Sequence, residues 1–162
     1  EEIPFRWMTG TQSHEGIAGT MAAIEHLAWI GRECSSDSRL PRREALTRAF
    51  RAIEEHERGL CLRMIEGLNE VEGIKIWGIT DPKRVSERSP TVSFTHPKME
   101  AAEIGRMLAD MGVFVWAGNF YALELTEALG LEPEGVLRAG VLHYNTMGEV
   151  ERFVSSVSNI LE

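Results

Sequence analysis

The apolar residues of this chain change their spacing near residue 70, and that change limits the possible folds more than any other feature. Before it, apolar residues recur every three or four positions, as they do on one face of a helix. This spacing predicts a first helix that Ser13 caps and Gly31 ends, and a second helix from Pro41 to about Leu68. After Gly73, apolar and polar residues alternate in short runs, which is typical of strands. We therefore predict two long helices followed by a sheet.

Four strands and three further helices are predicted in the second part of the chain. The strands are short alternating or apolar runs at residues 74–76, 91–95, 113–116 and 136–142. The helices begin at Pro97, after Asn119 and at Thr146, where Thr146 and Glu149 form a capping box. The almost wholly apolar run 113–116 is predicted to be buried on both faces. This order favours an α+β fold, with a small mixed or antiparallel four-stranded sheet covered by helices.

The length of the chain favours a single domain. A domain of 162 residues is of ordinary size and can bury a core of its own. Within it we distinguish a lead-in segment over residues 1–12, two long helices over residues 13–69, and a sheet-and-helix small domain over residues 70–162.

The charge of the chain limits its partners. Seventeen basic and 25 acidic residues give a formal net charge of −8, and the arginines are scattered along the sequence. The resulting field repels the phosphates of nucleic acids and anionic membranes, so we expect neither as a partner. The sequence also lacks an uninterrupted apolar stretch of about 18 residues that could cross a bilayer.

The cysteines and histidines predict no metal site. Cys34 and Cys61 are the two cysteines of the chain, which is too few for a disulfide framework or a cysteine-based zinc site. The five histidines do not have the spacing of metal ligands. Free thiols suit a reducing compartment, so we expect a cytoplasmic protein.

Three segments carry motifs rather than periodicity alone. The first is Thr9-Gly10-Thr11-Gln12 with the small-residue helix after it, the second runs from Gly112 to Ala122, and the third runs from Leu137 to Thr146. In this order they resemble the C-terminal part of the class V aminotransferases, the fold-type-I pyridoxal-phosphate (PLP) enzymes that include cysteine desulfurases and selenocysteine lyases. The nearest resemblance is to the cysteine desulfurase-like group. It implies the small-domain fold of those enzymes, PLP as the cofactor and an amino-acid-like substrate.

The resemblance implies cofactor-binding residues near the start of the chain. In the resembling enzymes, the threonine of this Gly-Thr pair hydrogen-bonds the PLP phosphate of the partner subunit in a homodimer. The pair corresponds to Gly10 and Thr11 of this chain. A hydroxyl group and backbone amides ahead of a helix N-terminus suit an anion. From the residues alone, Thr9, Thr11 and Ser13 could also form a turn and a helix cap.

The substrate-binding residue that the resemblance implies is Arg138. It lies within the apolar run 136–142, where a charge needs a partner or a path to water. An arginine at this motif position grips the α-carboxylate of an amino-acid substrate, for which its planar pair of donors is suited. The residues alone also allow a strand arginine that reaches the surface and pairs with an acid.

The loop after the third strand is predicted to shape a substrate pocket with Trp116, Asn119 and Tyr121, although packing at a strand end would also explain these residues. In the resembling desulfurases a mobile loop carries a nucleophilic cysteine near the position of Tyr121, and an arginine stands near the position of Trp116. Neither Cys34 nor Cys61 can replace that cysteine by sequence position. We therefore do not expect sulfur transfer through a persulfide.

We predict no catalytic residue within this chain. PLP enzymes of this fold need a lysine that attaches the cofactor and an aspartate near its pyridine nitrogen, and the resemblance puts both in a large N-terminal domain. Lys75, Lys83 and Lys98 do not lie in that context. The expected partner is therefore a missing large PLP-binding domain or a second copy in a homodimer, and PLP is not bound covalently. The alternative is a non-catalytic, self-associating module that binds a protein or a small anion.

Overall fold

The structure is a computed structural model that describes residues 2–3 and 5–161. Its helices and strands are α1 (His14–Ser35), α2 (Arg42–Asn69), β1 (Lys75–Trp77), β2 (Thr91–Thr95), α3 (Ala101–Asp110), β3 (Trp116–Gly118), α4 (Leu123–Ala128), β4 (Val136–Gly140) and α5 (Met147–Leu161). Two 3-10 helices cover Phe5–Trp7 and Pro82–Glu87. The chain divides into two compact units, Glu1–Ile53 and Glu54–Glu162, with the boundary inside α2. The single-domain organisation stays a prediction.

The first unit contains α1 and the beginning of α2. Ser13 caps α1 as predicted, since its Oγ accepts the N–H of Gly16 at 3.2 Å. The predicted end at Gly31 is wrong, because α1 continues to a left-handed residue, Ser36, with φ of 52°. Gly31 serves packing instead: a Cβ there would lie 1.8 Å from the carbonyl oxygen of Ala45 in α2. The glycine allows two helix backbones to touch.

The second unit is built on a four-stranded sheet in the order β1-β2-β4-β3, in which each neighbouring pair is antiparallel. β4 therefore lies between β2 and β3, which both precede it in the chain. It ends at Gly140, before the predicted end at Leu142. The predicted α+β class, with a four-stranded sheet and helices, is confirmed.

The part of α2 in the second unit packs together with α3 and α5 against one face of this sheet. Their apolar side chains and alternate residues of the strands form the buried core, whose largest fully buried side chains include Phe94, Met64, Ile65, Leu68, Ile104, Leu108 and Leu137. Successive strand residues point to opposite faces, so the residues beside Phe94 and Leu137 in their strands point away from the core. We call that side of the sheet the outer face.

The run 113–116 is not the doubly buried strand that its apolar sequence predicts. β3 begins at Trp116 and pairs with β4 through three residues. Phe114 is 85% exposed and Trp116 is 70% exposed. Ala117 pairs with Leu137 on the core side, so Trp116, one position earlier, points to the outer face. The prediction of burial on both faces is therefore wrong.

The two helices that flank β3 and β4 differ in how well the sequence predicts their beginnings. The helix predicted from Pro97 begins at Ala101, because residues 96–99 form an isolated antiparallel bridge instead. The capping box of α5 is confirmed. Glu149 Oε2 accepts the N–H of Thr146 at 2.7 Å, and Thr146 Oγ1 accepts the N–H of Glu149 at 3.3 Å.

Candidate functional site

Arg138 lies in the middle of β4 and points to the outer face of the sheet. Its register partners are Ser93 in β2 and Trp116 in β3. Ser93 is in turn paired with Trp77 in β1. Residues that are opposite each other in an antiparallel pair share a face, so these four side chains form a row across the sheet. Arg138 and Trp116 are the two exposed members of that row.

The guanidinium of Arg138 rests on an aromatic ring. Its Cζ lies 3.7 Å from the centroid of the Phe120 ring, which is a cation–π contact. Across residues 2–3 and 5–161, the salt bridges and side-chain hydrogen bonds do not involve Arg138. The alternative, in which a strand arginine reaches the surface and pairs with an acid, is thus not the arrangement found. The N–H donors of Arg138 are available to a ligand.

The loop that carries Phe120 has an unusual backbone. Phe120 and Tyr121 both have positive φ, at 57° and 61°, and Gly118 has φ of 129°. Left-handed backbone is costly for residues with a side chain, so two in succession need support from their surroundings. Part of that support is local: Asn119 Oδ1 accepts the N–H of Tyr121 at 3.2 Å, and the Asn119 carbonyl accepts the N–H of Ala122 at 2.9 Å.

The same loop is tied to the segment that precedes β4. Asn119 Nδ2 donates to Glu132 Oε1 at 3.3 Å, and that oxygen also accepts the hydroxyl of Thr126. The backbones of Gly118 and Gly135 touch, since a Cβ on Gly135 would lie 2.3 Å from the carbonyl carbon of Gly118. The loop is therefore fixed at both ends.

The predicted substrate residues thus divide into three groups. Trp116 lies beside Arg138 on the outer face, whereas the amide of Asn119 is used to hold the loop together. The side chain of Tyr121 is fully exposed at the tip of the loop. The sequence did not single out Phe120, the residue in direct contact with the guanidinium. Its neighbours in the sequence, Asn119 and Tyr121, give no sign of the left-handed backbone that brings it there.

Gly10 and Thr11 lie in the first unit, immediately before α1. Both are exposed, and Gly10 would have open space around a Cβ. Thr11 makes no side-chain hydrogen bond to another described residue, whereas Ser13 already caps the helix. A free hydroxyl ahead of the N-terminus of a 22-residue helix fits the phosphate group of PLP. The residues are thus suited to the part of the cofactor that the resemblance assigned to them.

The lysines do not fit the covalent attachment of PLP. Lys75 places its Nζ 3.6 Å from the centroid of the Trp77 ring on the outer face, where it is held by a cation–π contact. Lys83 and Lys98 are exposed on a 3-10 helix and a turn. A Schiff-base lysine is a buried or enclosed amine, and all three of these lysines are exposed.

The cysteines are likewise unsuited to nucleophilic chemistry at this site. Cys61 is buried in α2, and burial raises the pKa of its thiol, an effect that the nearby Arg88 opposes in part. Cys34 is exposed on α1, whereas the resembling desulfurases carry their nucleophile on the loop after β3. Among the described residues, no three His, Cys, Asp or Glu side chains cluster as metal ligands would. None of the described helices is long and apolar enough to cross a membrane.

Known proteins match this chain over nearly its whole length. The family model described as "Aminotransferase class-V" matches residues 1–153. The probable cysteine desulfurase 2 of Mycobacterium leprae is 33% identical over 159 residues, which are 98% of this chain and 32% of that protein. A probable cysteine desulfurase of Pseudomonas putida is 27% identical over 159 residues, which are 98% of this chain and 33% of that protein. The chain therefore spans about a third of the length of these relatives.

Solved structures of cysteine desulfurases also match this chain. The apo structure of a cysteine desulfurase from Thermococcus onnurineus NA1 matches with a TM-score of 0.61 and 28% identity, over 73% of this chain and 30% of that one. A cysteine desulfurase from Escherichia coli matches with a TM-score of 0.74 over 99% of this chain and 34% of that one. Its 24% identity supports a shared fold alone. Fold and sequence agree with the motifs, and the chain belongs to the class V aminotransferase family.

Proposed function

We propose that this chain forms the C-terminal part of a PLP-dependent enzyme that acts on an amino-acid-like substrate, and that Arg138 binds the substrate carboxylate. The observation that carries the proposal is the state of Arg138. Its guanidinium is exposed, stacked on Phe120 and paired with no carboxylate of the described residues. An exposed arginine without a carboxylate partner keeps its planar pair of donors free for a carboxylate ligand.

The stacking of the Arg138 guanidinium on Phe120 determines how a carboxylate would be held. Stacking occupies the flat face of the guanidinium and leaves its N–H edge free for two parallel hydrogen bonds. Trp116, opposite Arg138 in the register, lies beside it on the same exposed face of the sheet. When bound, PLP would supply an electron sink for the bond that breaks at the α-carbon of the substrate.

Gly10 and Thr11 would bind the phosphate of the cofactor. The Thr11 hydroxyl and the N-terminus of α1 supply a donor and a favourable dipole for an anion. In the resembling enzymes this threonine serves the partner subunit of a homodimer, so we propose that assembly here as well. The lysine that attaches the cofactor would lie outside this chain, because Lys75, Lys83 and Lys98 do not fit that role.

The chemistry would differ from sulfur transfer through a persulfide. That reaction requires a thiolate on the loop, and this loop carries Tyr121 instead. A phenol cannot form a persulfide, and Cys61 is buried with a raised thiol pKa. The likeness to proteins named cysteine desulfurases therefore supports the fold and the cofactor more than that reaction.

Titration of the 162-residue chain with L-alanine tests the proposal. We expect saturable chemical-shift changes at the Arg138 side chain with a Kd in the millimolar range, about what one bidentate pair at an open site supplies. Arg138→Gln should abolish them, whereas Arg106→Gln, which changes an exposed arginine of α3, should not. A response that survives in Arg138→Gln, or no response in the unmodified chain, would favour the non-catalytic module instead.

A further inference from the structure

The contact between Arg138 and Phe120 depends on an unusual backbone conformation. Phe120 is placed on Arg138 by a left-handed turn that two successive non-glycine residues adopt. Strain of this kind persists where the surroundings enforce it and is concentrated at functional sites. We infer that Phe120 is a positioning residue, whose ring holds the guanidinium of Arg138 flat and presents its N–H edge to a carboxylate. This inference rests on the proposed role of Arg138 and adds to it.

The distance between the two groups limits their relative orientation. At 3.7 Å between Cζ and the ring centroid, van der Waals contact favours a guanidinium that lies nearly parallel to the ring. A steep tilt would push one of its nitrogens into the ring carbons. A parallel guanidinium points its donors sideways, along the plane that a carboxylate must share for a two-bond contact. The ring therefore restricts the flexible arginine to a ligand-ready set of orientations.

The surroundings of Phe120 fix the ring itself. Asn119 bridges the N–H of Tyr121 and the carboxylate of Glu132, so the turn cannot relax without breaking both contacts. The close contact of Gly118 with Gly135 anchors the turn from the other side. A ring on a free loop would have to be ordered when the ligand binds, and that cost would weaken binding. Here the ordering is already complete.

Substitutions that keep or remove the ring test the inference. Leu and Tyr at position 120 both keep a Cβ on the left-handed backbone, so Phe120→Leu and Phe120→Tyr differ mainly in the aromatic face. We expect Phe120→Leu to shift the Arg138 Hε resonance downfield, because the ring current is lost, and to weaken L-alanine binding about 2- to 30-fold. Phe120→Tyr should retain both the shifted resonance and the affinity. Phe114→Leu, at an exposed phenylalanine away from the stack, is the matched control.

The outcomes separate this inference from the proposed function. If the unmodified chain binds L-alanine through Arg138 and Phe120→Leu binds it equally well, Phe120 does not position the arginine and the inference alone fails. If neither the unmodified chain nor Phe120→Tyr responds to L-alanine, both the inference and the proposed function fail. Circular dichroism of each variant verifies the fold, and a Phe120→Leu chain that unfolds is replaced by Phe120→Met, which also lacks a ring.

Discussion

Two arginines of the second unit are held in opposite ways. Arg88 directs its guanidinium inward: Nη2 donates to the Thr91 carbonyl at 2.6 Å, and Nη1 donates to the Ile79 carbonyl. Its Nε is buried without a partner among the described residues. Arg138 points outward and satisfies no backbone group, resting only on Phe120. The first arginine joins the segment after β1 to the start of β2, whereas the second one makes no hydrogen bond or ion pair within the described residues.

We expect the two arginines to differ in their contribution to stability. Arg138→Ala should lower the free energy of unfolding by no more than about 0.5–1 kcal/mol, because it strands no acid and loses one exposed ring contact. Arg88→Ala leaves the carbonyls of Ile79 and Thr91 without a donor and should cost about 2–3 kcal/mol. Urea denaturation of both variants measures the difference. A loss of about 3–5 kcal/mol for Arg138→Ala would identify it as part of a buried ion pair.

The sequence revealed Arg138 because a charge within an apolar run is conspicuous. It could not reveal Phe120, whose position depends on left-handed backbone at two successive non-glycine residues. It also could not show that Asn119 serves the loop, because Glu132 approaches it only when residues 118 and 135 pack together. Contacts that depend on register or on strained backbone lie beyond what spacing along a chain can predict.

Among the elements, α1 shows how much a single glycine can matter. Gly31 and Gly19 lie in the same helix, but a Cβ on Gly31 would overlap the Ala45 carbonyl while one on Gly19 would meet nothing within 4 Å. The space around Gly19 is open, whereas the contact with α2 within the first unit is made at Gly31. An identical residue type thus has different roles in one helix.

This difference predicts opposite signs for one substitution. Gly19→Ala should stabilise the chain by about 0.5–1 kcal/mol, because alanine favours the helix and nothing obstructs it. Gly31→Ala should instead destabilise it by at least about 1–3 kcal/mol, because the helices must move apart to admit the methyl group. Thermal unfolding followed by circular dichroism compares the two. Equal stabilisation by both substitutions would show that the helix contact at Gly31 does not form.

The capping box of α5 gives a pH-dependent prediction. The backbone N–H of Thr146, and then its hydroxyl, donate to Glu149 and lower the pKa of its carboxyl group. A group whose pKa is lowered on folding stabilises the fold above its unfolded pKa and loses that effect as the pH falls through the folded value. We therefore expect the start of α5 to fray at acidic pH below the ordinary glutamate range.

A carbon-detected titration of the Glu149 carboxyl group measures this effect. The midpoint should lie below that of an ordinary glutamate, and Thr146→Ala should raise it only in part, since the backbone N–H remains. Ser155→Ala, later in α5, serves as the control. A midpoint at the ordinary value in the unmodified chain would contradict the capping box.

The strands show where periodicity predicts elements well and where it fails. β2 has the predicted bounds, because its alternation matches a strand with one buried face. The run 113–116 failed because its apolar residues belong to two environments, with Val113 and Val115 against the core and Phe114 exposed. Continuous apolar sequence indicates burial only when all of its side chains find a covering layer.

At the scale of the molecule, the described residues lack the cofactor-attaching half of the proposed site. We expect the purified chain with added PLP to show no desulfurase or transaminase turnover, because Lys75, Lys83 and Lys98 lie on exposed surfaces. Borohydride reduction followed by peptide mass spectrometry should find label spread over these lysines and none preferred. Turnover together with labelling of one specific lysine would overturn this expectation.

Exposed apolar side chains on α1 predict self-association. Ile17, Met21 and Ile24 line a shallow groove on its surface, and each is more than a third exposed. Such a stripe favours contact with a second copy, so we expect a homodimer at concentrations of tens of micromolar, an order of magnitude suited to a standard interface. Sedimentation should show Met21→Glu shifting toward the monomer, while Leu125→Glu on α4 does not. A monomer for the unmodified chain would contradict the prediction.

The fixed conformation of the loop at residues 118–122 also affects the rate of ligand binding. Binding sites that close over their ligand often wait for a loop to move, on a scale of about microseconds to milliseconds. Here Asn119 and Glu132 keep the turn in place before any ligand arrives, so a carboxylate that reaches Arg138 meets a finished surface. The rate of arrival is then set by diffusion and charge rather than by a conformational step. Fast arrival combined with a Kd in the millimolar range means fast dissociation, so a carboxylate bound at Arg138 alone stays only briefly.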